Sequence, residues 1–230
     1  MPKTPVPQEN EPVTARGEQT KRIIVDTAMR HFREFGYDQT TMRGIARDAG
    51  VSVGNAYYYF SSKEQLIQAF YDDVQIDHIK RTRELLATEK ELAKRLAGTM
   101  HAGIDALTPY HEFASKFFKT AAEPTSPLHP LSTESTASRE ASIGLYRQVF
   151  EGSTAKVDPE LRAELPELLW MSYLGIILFW VHDLSPGQAK TRLFIDKVVP
   201  MLDRLIGLSR LRILRPMSRD LLELITALKE

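Results

Sequence analysis

Between Met42 and Phe60 the chain has room for two short helices and a tight turn. Met42, Ile45, Ala46 and Ala49 share one face of a helix over Met42 to Ala49. Gly50 stops that helix, because glycine reaches the left-handed backbone at little cost. Ser52 then caps a second helix that runs to Tyr59 or Phe60. Helices this short are marginal alone and must pack on neighbours. The flanks supply them. From Thr20, Ile24, Ala28, Phe32 and Phe35 recur at helical spacing, and Gly36 ends the run. Thr40 or Thr41 offers the N-cap of the next helix. Ser61-Ser62-Lys63-Glu64 reads as a capping box, Ser61 to Glu64, opening a helix that carries Leu66, Ile67, Phe70 and Val74.

The rest of the chain keeps the same period. Leu92, Leu96, Met100, Ile104 and Leu107 form one stripe, and Phe113, Phe117 and Phe118 belong to another segment. A Pro- and Ser-rich loop runs from Glu123 to Thr136. Ile143, Tyr146, Val149 and Phe150 mark a further helix. Asp158-Pro159 reads as a cap followed by Pro at N1, and Pro166 starts a strongly apolar helix. Ser185-Pro186 repeats that signal ahead of Leu193 to Ile206, with Pro200 as a candidate kink. Met217 to Leu228 is a last apolar segment. No alternating strand pattern, internal repeat or phosphate-binding Gly loop stands out. The expected fold is all-α: an N-terminal three-helix helix-turn-helix domain, then a C-terminal helical bundle. The expected divisions are a disordered arm over 1–18, the helix-turn-helix domain over 19–66 and the helical bundle over 67–230.

Composition narrows the function. Lys plus Arg and Asp plus Glu are both 30, so formal net charge is zero and gives no argument for nucleic acid. There is no Cys, which excludes disulfides, thiolate metal sites and a Cys nucleophile. The arm from Met1 to Gly17 is rich in Pro and polar residues and has no signal-peptide core. Leu168 to Val181 is the longest nearly apolar run and falls short of the ~20 residues of a membrane span. A cytoplasmic protein with no membrane partner is expected. No nucleophile, base and orienting group stand at a recognisable spacing, so no enzyme is expected. The histidines His31, His78, His101, His111, His129 and His182 lack the spacing of a zinc helix. Neither a metal nor a cofactor is expected. His101 and His182 border apolar stretches, where a hydrogen-bonded core histidine is the plainer reading and a polar group in a ligand pocket the sharper one.

Two short helices across a tight turn are the helix-turn-helix arrangement. The second helix enters the major groove and reads base edges with its first residues. Gly54 and Asn55 supply small and polar positions there. Tyr57, Tyr58 and Tyr59 supply hydroxyls, and Lys63 an ammonium, for phosphates. Three successive tyrosines cannot all face a core, since neighbours on a helix are about 100° apart. From Arg16 to Leu66 there are eight Lys or Arg against six Asp or Glu. With so small an excess, hydroxyls, amides and helix ends must carry much of the phosphate contact.

The run Gly36-Tyr37, Thr41-Met42-Arg43-Gly44-Ile45-Ala46, Ala49 through Phe60 and Lys63-Glu64-Gln65-Leu66 resembles the tetracycline-repressor-like (TetR) family of transcription regulators. The resemblance covers Thr20 to Leu66; beyond Leu66 only overall length and all-helical character agree with the family. It implies that Thr41 caps its helix near a phosphate and that Arg43 lies near the backbone or an edge base. Ser52, Val53, Gly54 and Asn55 would face the groove floor. Tyr57, Tyr58, Tyr59 and Lys63 would hold phosphates, while Ile45, Ala46, Ala49, Val51 and Phe60 would be core. It also implies a homodimer joined through the C-terminal helix pair, a double-stranded DNA operator and a small-molecule effector, with repression the usual outcome.

Trp170, Met171, Tyr173, Phe179 and Trp180 lie in the apolar helix, and Met100, Phe113, Phe117 and Phe118 could form the opposite wall. Met100, Phe113, Phe117, Trp170, Tyr173 and Trp180 are the candidates for contact with a largely apolar effector. Plain core and dimer packing explains the same residues equally well. The helices over Glu167 to Asp183 and Pro186 to Ile206 are apolar on more than one face and need cover on all sides. A helix-turn-helix module that responds to no ligand is the competing reading.

Overall fold

The computed structural model describes residues 15–211 and Glu223. The arm before Ala15 and the segment from Met217 to Leu228, apart from Glu223, lie outside the described residues. Every regular element among the described residues is helical. Two compact units emerge, Met1–Phe70 and Tyr71–Glu230.

The first unit contains α1 (Ala15–Phe35), α2 (Met42–Asp48), α3 (Val53–Tyr59) and the first turns of α4 (Lys63–Thr88). Helix α1 starts at Ala15, a turn before the position that apolar periodicity indicates, because its first turns are exposed and carry no stripe. Ile24, Ala28, Phe32, Ile45, Ala46, Ala56, Phe60, Leu66 and Ile67 are buried and form its apolar core. Ala49 and Val51, expected in that core, are half-buried. The two stops are as expected: Gly36 and Gly50 have φ of 81° and 69°, a region costly for any residue with a Cβ.

The second unit contains the rest of α4, then α5 (Leu92–Leu107), α6 (His111–Ala122), α7 (Thr136–Glu151), α8 (Leu165–Val181) and α9 (Ala189–Leu208). Helix α7 packs along α8, and α5 packs against α7 and α9. Leu92, Leu96, Met100 and Ile104 of α5 meet Tyr146, Val149 and Phe150 of α7, Leu169, Trp170, Tyr173 and Trp180 of α8 and Ile195 and Val199 of α9 in one core. Of two expected caps, Ser185-Pro186 is found, with Ser185 as N-cap of the short turn Pro186–Gln188 that leads into α9 and its Oγ accepting from Lys190 N, and Asp158 is not. Asp158 opens no helix; its carboxylate accepts from Glu160 N in a turn, and α8 begins at Leu165 with Pro166 in its first turn. Asp183 organises the start of α9 by accepting from Ser185 N and Oγ and from Thr191 N and Oγ1. Those four bonds outweigh the burial that would push this carboxyl up and hold it well below the usual range. Helix α9 is assigned without a break through Pro200.

Arg95 ties the second unit together. It is 1% exposed. Its Nε donates to Val149 O at 2.7 Å, Nη2 to Gln148 O at 2.6 Å, and Nη1 to Leu86 O and Glu89 O at 2.8 and 2.6 Å. Leu86 O, Glu89 O and Val149 O, near the ends of α4 and α7, thereby gain donors, and Gln148 O gains a second one beside Gly152 N. The planar guanidinium presents enough N–H groups for all four.

Candidate DNA-reading head and effector domain

The two short helices of the first unit are each started by a side chain. Thr41 Oγ1 accepts from Gly44 N at 3.1 Å, and Ser52 Oγ accepts from Asn55 N at 3.0 Å. Helix α2 turns its buried side, Met42, Ile45 and Ala46, to the core and leaves Thr41 and Arg43 exposed. Helix α3 buries only Ala56. Ser52, Val53, Gly54, Asn55, Tyr57 and Tyr58 are exposed and Tyr59 is half-buried. Tyr58 is 80% exposed and its ring meets that of Tyr59 edge-on at 5.2 Å. An exposed apolar Val53 beside exposed tyrosines is a surface that the described residues leave uncovered.

Gly54 is informative here. A Cβ at this position would meet nothing within 4 Å, and the backbone is not left-handed. Glycine in a helix costs about 0.5–1 kcal/mol relative to alanine. No contact among the described residues accounts for that cost. Gly44 differs, because a Cβ there would lie 3.3 Å from Thr41 Oγ1 and 3.5 Å from the His31 ring.

Lys63 is half-buried. Its ammonium donates to Tyr37 O at 2.7 Å and lies 4.3 Å above the Tyr37 ring. Tyr37 Oη donates to Glu64 Oε1. Burial pushes Glu64 up, and the bonds from Tyr37 and Ser62 outweigh it, leaving the carboxyl below its usual value. The expected Ser61–Glu64 capping box is therefore absent. Gln65 Oε1 instead accepts from Ser61 N, and Ser62 Oγ accepts from Gln65 N at 3.4 Å. His31, buried under Gly44, pairs with Asp48 at 2.7 Å across 17 residues. Arg47 and then His31 hold the Asp48 carboxyl down to about 2.

In the second unit Met100, Phe113, Phe117, Trp170, Tyr173 and Trp180 are all buried, at most 6% exposed. Met100, Trp170, Tyr173 and Trp180 share the central core, and Phe113 stacks on Phe117 at 5.0 Å. An open hollow of about 930 Å³ lies between the end of α8 and the start of α9, lined by Leu178, Phe179, His182, Leu184, Lys190 and Phe194 among others. None of the six candidates lines it. Of the two histidines placed beside apolar stretches, His101 pairs with Asp196 and His182 bonds Leu178 O near the surface. The buried histidines are His31 and His78. Sequence reading passes over His78, because its contacts, to Thr99 O and the Tyr173 ring, are 21 and 95 residues away.

The family model for the bacterial regulatory proteins of the tetR family matches residues 24–70. The tetracyclin repressor-like C-terminal domain model matches residues 95–221, more than half of the chain. This chain belongs to the TetR family. It is a DNA-binding transcription regulator of the helix-turn-helix type. Its similarity extends across most of an uncharacterised helix-turn-helix regulator, YhgD, of Bacillus subtilis. The two are 25% identical over 181 residues, 74% of this chain and 89% of that one. The TetR regulator of Nitrosomonas europaea shares the fold with a TM-score of 0.62 at 19% identity, over 79% of this chain and 96% of that one. FadR of Bacillus subtilis, solved in complex with stearoyl-CoA, shares it with a TM-score of 0.59 at 17% identity, over 77% and 96%. Membership of the TetR family explains why α3 is short, capped and bare. It does not say what the second unit binds.

Proposed function

We propose that this TetR-family chain is a ligand-responsive, cytoplasmic repressor that binds a pseudo-palindromic operator as a homodimer and leaves it when a small, largely apolar effector binds the C-terminal unit. The observation that carries the reading is the bare face of α3. Ser52, Val53, Gly54 and Asn55 face the groove floor, and the open Gly54 lets a base-pair edge approach the backbone. Thr41, Arg43, Tyr57, Tyr58, Tyr59 and Lys63 hold flanking phosphates. Lys63 spends one N–H on Tyr37 and keeps the others for an anion.

A second bare surface supports the homodimer. Leu178 and Phe179 on α8 and Leu193, Phe194, Met201 and Leu205 on α9 are 38–58% exposed. An apolar strip of this kind on adjoining helices marks an association surface. Two half-sites also give the specificity that one short helix lacks. An effector acts by binding one of two conformers better; a coupling of roughly 1–3 kcal/mol is typical. Met100, Phe113, Phe117, Trp170, Tyr173 and Trp180 are the residues assigned to it.

The test is DNA binding by the purified protein to the region upstream of its own gene, titrated with salt, alongside its mass in solution. Salt-sensitive binding by a dimer is expected. A folded dimer that binds no DNA at any salt would remove the reading.

A further inference from the structure

The second unit holds a group of buried polar side chains, three atoms of which have no hydrogen-bond partner among the described residues. Four helices contribute. Gln75 and His78 stand one turn apart on α4, Thr99 and Gly103 on α5, and Ser142 and Tyr146 on α7; Tyr173 comes from α8. Contacts link them into one group. Ser142 Oγ donates to Gln75 Oε1 at 2.9 Å and His78 Nε2 donates to Thr99 O at 2.8 Å. The Tyr173 ring lies 5.6 Å from His78 and 5.7 Å from Tyr146. Tyr173 reaches α5 because residue 103 is glycine; a Cβ there would stand 2.1 Å from its hydroxyl. Gln75 Nε2, Thr99 Oγ1 and Tyr146 Oη have no hydrogen-bond partner among the described residues. Thr99 and Tyr146 are 0% and 1% exposed.

Buried polar groups in native proteins are ordinarily paired, so three orphans on helices joined by these contacts call for an explanation. The group carries no charge. Burial holds His78 below its ordinary value, hence neutral at pH 7, and pushes the Tyr146 and Tyr173 hydroxyls up, so both keep their protons. Arg95, one turn before Thr99, is committed to four carbonyls. Among the described residues the site therefore offers O–H and N–H donors without a counter-ion. A carboxylate entering it would lose its hydration and meet no cation, whereas a neutral carbonyl loses little and gains donors.

We propose that Tyr146, Thr99 and Gln75 form the polar anchor of the effector site, selecting an apolar molecule with one uncharged oxygen acceptor, a ketone or ester, over the matching carboxylate. This rests on the effector reading above and specifies the chemistry of that effector. Tyr146 Oη, Thr99 Oγ1 and Gln75 Nε2 donate to the ligand oxygen. His78 and Tyr173 are positioning residues that hold α4, α5 and α8 around it.

The experiment uses the full chain and two matched probe pairs, 2-decanone with decanoate and 4-phenyl-2-butanone with 3-phenylpropanoate. Binding is read from the fluorescence of the two tryptophans, Trp170 and Trp180, both buried in this unit. At least one ketone is expected to bind about tenfold more tightly than its carboxylate. Tyr146→Phe and Thr99→Val should each weaken it by about tenfold, roughly 1.4 kcal/mol. The same variants without ligand should melt no lower than the parent, since each deletes a hydroxyl that has no partner. Carboxylates binding as tightly as ketones would overturn the proposal. So would unchanged ketone affinity in both variants, or ligand-free variants that melt lower or fail to fold. If neither ketone binds while the protein still binds its upstream DNA, the anchor is wrong and the regulator stands. A folded protein that binds no DNA removes the regulator reading whatever the ketones do.

Discussion

The hydrogen bonds that cap α2 and α3 in the N-terminal unit span three residues, from Thr41 to Gly44 and from Ser52 to Asn55. Those that shape the C-terminal unit span far more. Arg95 reaches 54 residues to Val149, His111 reaches 69 to Trp180 O, and His101 reaches 95 to Asp196. The first unit starts its short helices with polar side chains at their ends and buries one paired histidine, His31. The second puts a guanidinium, a histidine and two tyrosine hydroxyls inside an apolar bundle. A reading head needs a fixed backbone shape presented outward, and local caps provide it. A bundle that must hold or release something needs polar groups within, and only long-range contacts can place them.

Replacing Arg95 is the most severe way to break that contrast. Arg95→Met keeps the volume and strips the donor from Leu86 O, Glu89 O and Val149 O, while Gln148 O keeps Gly152 N. At about 1–3 kcal/mol for each buried group left unpaired, a loss above about 3 kcal/mol is expected in urea denaturation. A loss below about 1 kcal/mol would show that the carbonyls find other partners and that Arg95 is not the tie.

Glycines sharpen the contrast next. Gly103→Ala would press a methyl onto Tyr173 and His78 and should cost about 1–3 kcal/mol of stability, as overpacking does. Gly54→Ala meets only open space. It should raise stability by up to about 1 kcal/mol and still weaken DNA binding. Were Gly54→Ala to leave DNA affinity intact, close approach of DNA to that backbone would be wrong.

The same difference in range decides what could be read beforehand. The caps at Thr41 and Ser52 and the stops at Gly36 and Gly50 were legible, because signal and target are neighbours. So were the apolar stripes of α5 and α8. The Ser61–Glu64 box misleads because Tyr37, 27 residues earlier, takes the Glu64 carboxylate. His101 and His182 draw notice from their apolar neighbours in sequence, yet His78 is the one that Thr99 and Tyr173 enclose. Nothing in the few residues around Arg95 foretells its carbonyls on α7. Aromatic positions such as Trp170 and Tyr173 read as apolar in either role, since packing and ligand contact demand the same side chains.

Smaller effects separate the kinds of contact within the head. Tyr58→Phe removes one exposed hydroxyl and should weaken binding to all DNA sequences alike, by about three- to tenfold, the worth of one hydrogen bond. Stability should not change. Asn55→Ala should instead narrow the gap between the operator and unrelated DNA. Anisotropy titrations with both DNAs at several salt concentrations distinguish the two effects. If neither variant changed affinity or salt slope, α3 would not be the reading helix.

The subtlest test is acid, which should strike the two units at different pH. His78 is held below its ordinary value by burial, so the folded chain keeps it neutral while an unfolded chain takes up a proton below about 6.5. Its contribution to stability is whole above that pH and falls as the pH drops. Asp48 runs lower. Its carboxyl is held to about 2 by Arg47 and His31, so its contribution is whole above the ordinary carboxylate range near 4 and is lost only on the way to about 2. Amide exchange followed from pH 7 to pH 4 should therefore show protection in α5 and α8 weakening before that in α2. His78→Gln should flatten the first change, and Asp48→Asn should leave it as it is. An α2 that opens first would mean that the local pairs of the head, rather than the buried polar group of the bundle, set the acid limit of this protein.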